Sequence, residues 1–196
     1  MKEIPRRSLV LHYLGRLFLG IRGWRVVGVA PPLRKYVILI APHTSHWDTL
    51  YFTAAACAVR LMAHAMVKHT VFRGPVGAYL RWMGAIPVRR GEGQGEKLVD
   101  QAVAAFAERD YMVLVLAPEG TRDRRDYWRS GFYRIAMGAG VPVQLAYADF
   151  GKKEVGLGPL LELTGDADQD MAVIRAFYAG VQARHPERFS PVRFRE

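Results

Sequence analysis

The sequence predicts an α/β fold, with a mainly parallel, mixed sheet flanked by helices in a single domain. Three observations carry this. The apolar runs "KYVILI" (35–40) and "YMVLVLA" (111–117) have the length and bulk of strands buried on both faces. Segments of helical spacing lie between such runs, so strands and helices alternate along the chain. No repeat or low-complexity linker interrupts the 196 residues, enough to bury a sizeable core.

Taken in order, residues 8–22 ("SLVLHYLGRLFLGIR") form an amphipathic helix with Leu9, Val10, Tyr13, Leu14, Leu17, Phe18 and Ile21 on one side. His12 and Arg16 lie on the other, with Arg6, Arg7 and Arg22 flanking. Two readings stand: a helix lying in a membrane interface with its arginines near lipid phosphates, or one packed on the core. After Pro31-Pro32 come the strand 35–40, an alanine-rich helix over 46–60, and a strand candidate at "LMAHAMV" (61–67). A short helix in "GPVGAYLRWMG" leads to the short strand "AIPV" (85–88) and an amphipathic helix over 96–109. The strand 111–117, the helix "GFYRIAMGAG", the strand "VPVQLAYADF" and a helix over 169–183 behind the acidic "GDADQD" complete the pattern. The chain divides into an N-terminal interface segment, 1–30, and the main domain, 31–196.

With 51% hydrophobic and 23% charged residues the chain is ordinary for a globular protein, but its net charge of +10 is not. That charge points to a polyanionic neighbour: nucleic acid, an anionic membrane surface or a phosphorylated substrate. The arginines are spread along the chain, which favours a structured basic face over a disordered arm. Cys57 is the sole cysteine, so no intrachain disulfide or cysteine-based zinc site can form. No secretory signal is visible, and no apolar run reaches the ~20 residues needed to span a bilayer.

Three polar loops follow strands, where an α/β sheet places its ligands. In the first, "PHTSHWD", His43 and Asp48 sit five residues apart and cannot act from one helix face. They can meet if His43 stays in the loop and Asp48 enters the first helical turn. A carboxylate on one ring nitrogen then fixes the tautomer and makes the other a better base. Against this, Ser45 and Asp48 read equally as a capping box, the more economical reading of the stretch alone. His43 and His46 lack a third metal ligand of recognisable spacing, so no metal is expected. In the third loop, "PEGTR" sets Glu119, Gly120, Thr121 and Arg122 at the end of a buried strand. Gly120 permits close backbone approach, and Arg122 offers a planar fork suited to phosphate. The second loop supplies Arg89 and Arg90. Its "GEGQGEK" lacks the spacing of a nucleotide-phosphate loop.

Taken in order, "HTSHWD", "GAIPVRR", "PEGTR" and "GVPV" resemble the four blocks of the glycerophospholipid acyltransferase family, of the 1-acyl-glycerol-3-phosphate acyltransferase-like kind. They span residues 43–145, about half the chain. The resemblance implies that His43 is the catalytic base and Asp48 its acidic partner, an HX4D motif. It implies that Arg90, with Gly84 and Ile86 in its block, helps bind the acceptor's phosphate. Glu119, Gly120, Thr121 and Arg122 would also bind the acceptor, and Val141, Pro142 and Val143 would help place the acyl donor. The implied activity is transfer of a fatty acyl group from acyl-CoA or acyl carrier protein to a lysophospholipid-type hydroxyl, in phospholipid biosynthesis and with no cofactor. The implied partners are lysolipid, thioester donor and anionic membrane, at the cytoplasmic face of the inner membrane as a peripheral or monotopic protein.

Pro42, where the family often has asparagine, and Leu145, where it often has a second proline, depart from the pattern and leave the acceptor open. So does the basic, aromatic "DRRDYWRSG", in which Arg129 falls near a common family lysine. The alternative reading is a non-catalytic basic module of the same fold that binds nucleic acid or anionic lipid, suggested by the charge and by Tyr127, Trp128 and Arg129. Nucleic acid is the less expected partner, because a binding module needs no His–Asp pair.

Overall fold

A computed structural model describes residues 3–82, 84–88 and 95–195. The described elements are α1 (Leu9–Ile21), β1 (Arg25–Val27), β2 (Lys35–Ile40), α2 (His46–Ala58), β3 (His64–Lys68), α3 (Gly74–Trp82) and β4 (Ile86–Val88). They continue through α4 (Gly95–Glu108), β5 (Met112–Leu116), α5 (Gly131–Ala139), β6 (Val143–Asp149), β7 (Glu154–Leu161) and α6 (Ala167–Tyr178). Seven strands among the described residues form one sheet in the order β1-β7-β6-β2-β5-β3-β4. Every pair is parallel except β6 with β7.

The two bulkiest apolar runs take the centre of the sheet. Tyr36 to Leu39 in β2 and Met112 to Leu114 in β5 are buried on both faces, as continuous hydrophobic strands of a parallel sheet must be. Val37, Leu39, Leu114, Val143 and Leu145 meet Phe106 of α4, Ile135 of α5 and Ile174 of α6. On the opposite face, Tyr36, Ile38 and Val113 meet Phe52 of α2. Tyr51 and Ala54 of α2 lie against Leu19 and Trp24. The Tyr178 hydroxyl reaches through the first layer to the Leu39 and Ala146 carbonyls at 2.8 and 3.1 Å, tying α6 to the middle of the sheet.

Several local expectations change. The strand expected at 61–67 runs 64–68, and the helix expected to reach 183 ends at Tyr178. The segment after α6 is a strap crossing the loops. β1 and β7 add two strands that the sequence did not announce. β1 is three exposed residues, and β7 carries Gly156, Gly158 and Pro159, which dilute the strand pattern.

The face of α1 turned to α2 holds His12, Gly15 and Leu19. His12 Nδ1 lies 2.7 Å from the Ala58 carbonyl, and a Cβ on Gly15 would sit 2.5 Å from the Ala54 carbonyl. Glycine is what allows the two backbones to approach so closely. The apolar row of Leu9, Val10, Tyr13, Leu14, Leu17 and Ile21 faces outward, each residue more than half exposed. Of the two readings of this helix, the packed one holds for a narrow stripe only. No helix among the described residues is long and apolar enough to cross a membrane.

Candidate active site

β2 and β5 are adjacent and parallel, with Leu39 opposite Leu116, so the loops that follow them leave the same end of the sheet side by side. The first loop begins at a cis Ala41–Pro42 peptide. Ser45 caps α2, its hydroxyl accepting from the Trp47 amide at 3.1 Å. Asp48 occupies the third helical position, and its Oδ2 accepts from the Thr44 and Ser45 amides at 2.6 and 2.8 Å. The capping box is therefore complete. His43 stays outside the helix, and its Nδ1 lies 3.7 Å from the same Asp48 Oδ2. The capping reading of this stretch holds, and the cap fixes the carboxylate beside the imidazole.

His43 Nδ1 and Asp48 Oδ1 are each buried without a hydrogen-bond partner. An unmade bond at such depth is costly. Burial first, then the charges of Arg122 and His46, hold the imidazole down at about 4. It is a free base at neutral pH. Burial pushes the Asp48 carboxyl up, opposed by its two amide donors and by the charges of Arg122 and Arg184.

Glu119 is 1% exposed and faces the loop rather than solvent. Its Oε1 accepts from the His43 amide at 2.7 Å and its Oε2 from the Ser190 amide at 3.3 Å. Burial pushes its carboxyl up, against those two amides and the Ser190 hydroxyl, with the Asp48 charge adding to the rise. Gly120 adopts a left-handed φ of +66°, and a Cβ there would lie 2.8 Å from the Arg129 guanidine. Arg129 thus lies directly over the E-G-T-R turn. Thr121 Oγ1 accepts from the Asp123 amide at 3.3 Å. Arg122 Nε is buried without a partner, and its charge bears on both His43 and Asp48.

The structure therefore brings His43, Asp48, Glu119, Gly120, Thr121 and Arg122 to one end of the sheet. Arg89 and Arg90 lie outside the described residues. In the second block, Ile86 is buried in β4 and Gly84 adopts a φ of +84°. Val143 of the fourth block lies in β6, and the Pro142 carbonyl accepts from the Val37 amide at 3.0 Å, which sets β6 against β2. No group of three metal-ligating side chains occurs among the described residues. Trp128 is fully buried against Tyr178 and Phe189, so it offers no stacking platform for a base.

Sequence reasoning missed the strap after α6. The His185 amide donates to Thr44 Oγ1 at 3.3 Å, and Ser190 Oγ accepts from the Arg125 amide at 3.0 Å. With the Ser190–Glu119 bond, residues 185–190 hold the first and third loops together. These contacts are made by backbone amides and small side chains, which leave no periodic signal.

Two concavities adjoin the loops. One, between α2 and the sheet, is lined by apolar groups that include Ile38, Ile40, Phe52, Val115 and Leu157. The other, about 720 Å³ at the end of β5, is lined by Leu116, Pro118, Gly120, Arg129, Phe132 and Arg195 among others.

The parallel α/β sheet thus gathers a histidine, a buried carboxylate and an arginine over one strand end. The chain belongs to the Acyltransferase family, whose model matches residues 26–146. Its fold is similar to that of PlsC, the 1-acyl-sn-glycerophosphate (LPA) acyltransferase of Thermotoga maritima, with a TM-score of 0.60 at 15% sequence identity. The match covers 87% of this chain and 76% of that one. Among curated proteins no sequence match was found.

Proposed function

We propose that the protein transfers a fatty acyl group from a thioester donor, acyl-CoA or acyl carrier protein, to the hydroxyl of a lysophosphatidate-type acceptor in phospholipid synthesis. The observation that carries this is the His43–Asp48 pair, with His43 Nδ1 buried, unpartnered and 3.7 Å from Asp48 Oδ2, beside the buried, unpartnered Arg122 Nε. The neutral imidazole takes the acceptor proton while the hydroxyl attacks the thioester carbonyl. Asp48 stabilises the imidazolium that forms, and the thiol leaves with the proton returned to it. No acyl-enzyme is needed, in keeping with a lone cysteine that is buried within α2.

Arg122 binds the acceptor's phosphate, with Arg90 and Arg129 as further cations, and this anchoring brings the hydroxyl to His43. An anionic head group also offsets the charge that depresses the imidazole, so binding the acceptor strengthens the base. Glu119 contributes by fixing the His43 backbone, and Gly120 by letting Arg129 lie over the turn. The outward row of α1 lies in an anionic membrane surface, placing the protein peripherally on the cytoplasmic face of the membrane.

The test is incubation with acyl-CoA or acyl carrier protein thioesters and a panel of lysolipids, following acylated product. Wild type should acylate a phosphate-bearing lysolipid, and His43→Ala should lose roughly 10²–10⁴ of the rate. Equal turnover by His43→Ala would remove the mechanism.

A further inference from the structure

Beside the catalytic loop stands a cluster of rings that the chemistry above does not use. Trp24 stacks on Tyr51 at 3.8 Å between centroids, Phe150 meets both edge-on, and Trp47 lies 6.1 Å from Tyr51. Trp47 immediately precedes Asp48 in the first turn of α2. Two guanidinium groups lie over its ring: Arg22, at 4.9 Å from the centroid, and Arg184, at 5.3 Å. Arg184 also lies 5.7 Å from the Phe150 ring.

The arginines come from opposite ends of the chain. Arg22 is the C-cap of α1, and Arg184 directly precedes His185, which the Thr44 hydroxyl holds. Two like charges thus meet on one indole, within about 10 Å of each other. Neither guanidinium has a carboxylate within ion-pairing distance or a hydrogen bond among the described residues. The nearby acids are engaged elsewhere: Asp149 with Lys152 and the Gly151 amide, Glu187 with His185 and Arg188. Stacking uses the flat face of a guanidinium and leaves its N–H groups free at the rim. Two guanidinium groups beside one ring offer several N–H donors to an oxyanion with several acceptor oxygens.

We propose that Arg22 and Arg184, held on Trp47, form a second phosphate site that takes the phosphate of the donor's phosphopantetheine arm. The proposal rests on the acyl-transfer reading. In that reaction the acceptor's phosphate is separated from its reacting hydroxyl by a glycerol fragment only, so it must bind close to His43, where Arg122 stands. The donor's phosphate is separated from its reacting carbonyl by the whole pantetheine arm and needs a site set back from the base. Coenzyme A and acyl carrier protein share this phosphate, so one site serves either carrier.

The experiment compares S-acyl-phosphopantetheine with S-acyl-pantetheine, which differ by the phosphate alone, as donors and as ligands in titration calorimetry. Wild type should prefer the phosphorylated form by about tenfold or more in kcat/KM, mainly through KM. Arg22→Ala and Arg184→Ala should each lose most of that preference, while turnover of the unphosphorylated donor and the acceptor KM stay unchanged. Arg184→Lys should recover part of it. A wild type indifferent to the phosphate, or variants that keep the preference, would overturn the assignment. So would variants that partition less onto phosphatidylglycerol vesicles with the donor preference intact, because the anion would then be a lipid head group. If wild type uses no thioester, acyl transfer itself fails, and calorimetry with phosphopantetheine against pantetheine still decides the site.

Discussion

The Oε1 of Glu119 accepts the backbone amide of His43 at 2.7 Å across 76 residues of sequence, joining the E-G-T-R turn to the proposed base. With both its oxygens on backbone amides, Glu119 positions the loop that carries His43. Glu119→Ala leaves the His43 and Ser190 amides unpartnered, at about 1–3 kcal/mol each. Chemical denaturation should show a loss of roughly 2–6 kcal/mol, and kcat should fall although His43 and Asp48 are intact. A variant of wild-type stability and rate would remove the positioning role.

The pH profile follows from the depressed imidazole. A free histidine titrates near ~6.5, whereas His43 titrates at about 4, chiefly through burial. Since the base must be neutral, kcat/KM should stay flat from pH 8 to about pH 5 and fall below that. An acid limb centred near 6.5 would contradict the burial argument. Stability has the same origin: between about pH 6.5 and 4 the unfolded chain binds the proton that folded His43 refuses. This group therefore lowers stability as pH falls through that window, and His43→Gln should flatten the dependence there.

Gly120 and Arg129 should be coupled. Gly120→Ala meets a left-handed φ of +66° and the Arg129 guanidine together. The backbone part costs about 1–2 kcal/mol of stability in any background. The displacement of Arg129 should appear separately, as a raised KM for the acceptor. In an Arg129→Ala background the stability loss should persist while the added KM effect of Gly120→Ala shrinks. An undiminished KM effect in the double variant would mean that Arg129 plays no part.

The outward row of α1 should matter for membrane binding and not for folding. Leu14→Glu with Leu17→Glu places charge where both side chains are more than half exposed. The melting temperature should hold within about 2 °C, because exposed substitutions stay within ~0.5 kcal/mol. Partitioning onto anionic vesicles should fall at least tenfold, given ~1.5–3 kcal/mol for burying each leucine. Unchanged partitioning would mean that the row does not enter the bilayer.

Much of this was legible in the sequence, for identifiable reasons. β2 and β5 are apolar over most of their length because their centres are buried, and α2 begins after Ser45 because its cap is local. The His43–Asp48 pair was masked by that cap and stood out only beside the "GAIPVRR" and "PEGTR" blocks. The orientation of α1 was hidden because its contact stripe is made of Gly15 and His12, while the conspicuous leucines point away. Trp128 looked like part of a surface cluster yet fills the core, since "YW" beside four arginines gives no hint of depth. Residues 22, 47 and 184 meet only after folding, so no local pattern marks their convergence.

The strap at 185–190 gives the molecule an order of assembly. His43, Asp48 and Glu119 are all translated well before Ser190, and the strand bearing each can already find its neighbours. Thr44 and Glu119 nevertheless lack their partners until His185 and Ser190 have left the ribosome. A nascent chain of 180 residues thus carries every proposed catalytic group with its two loops unfastened.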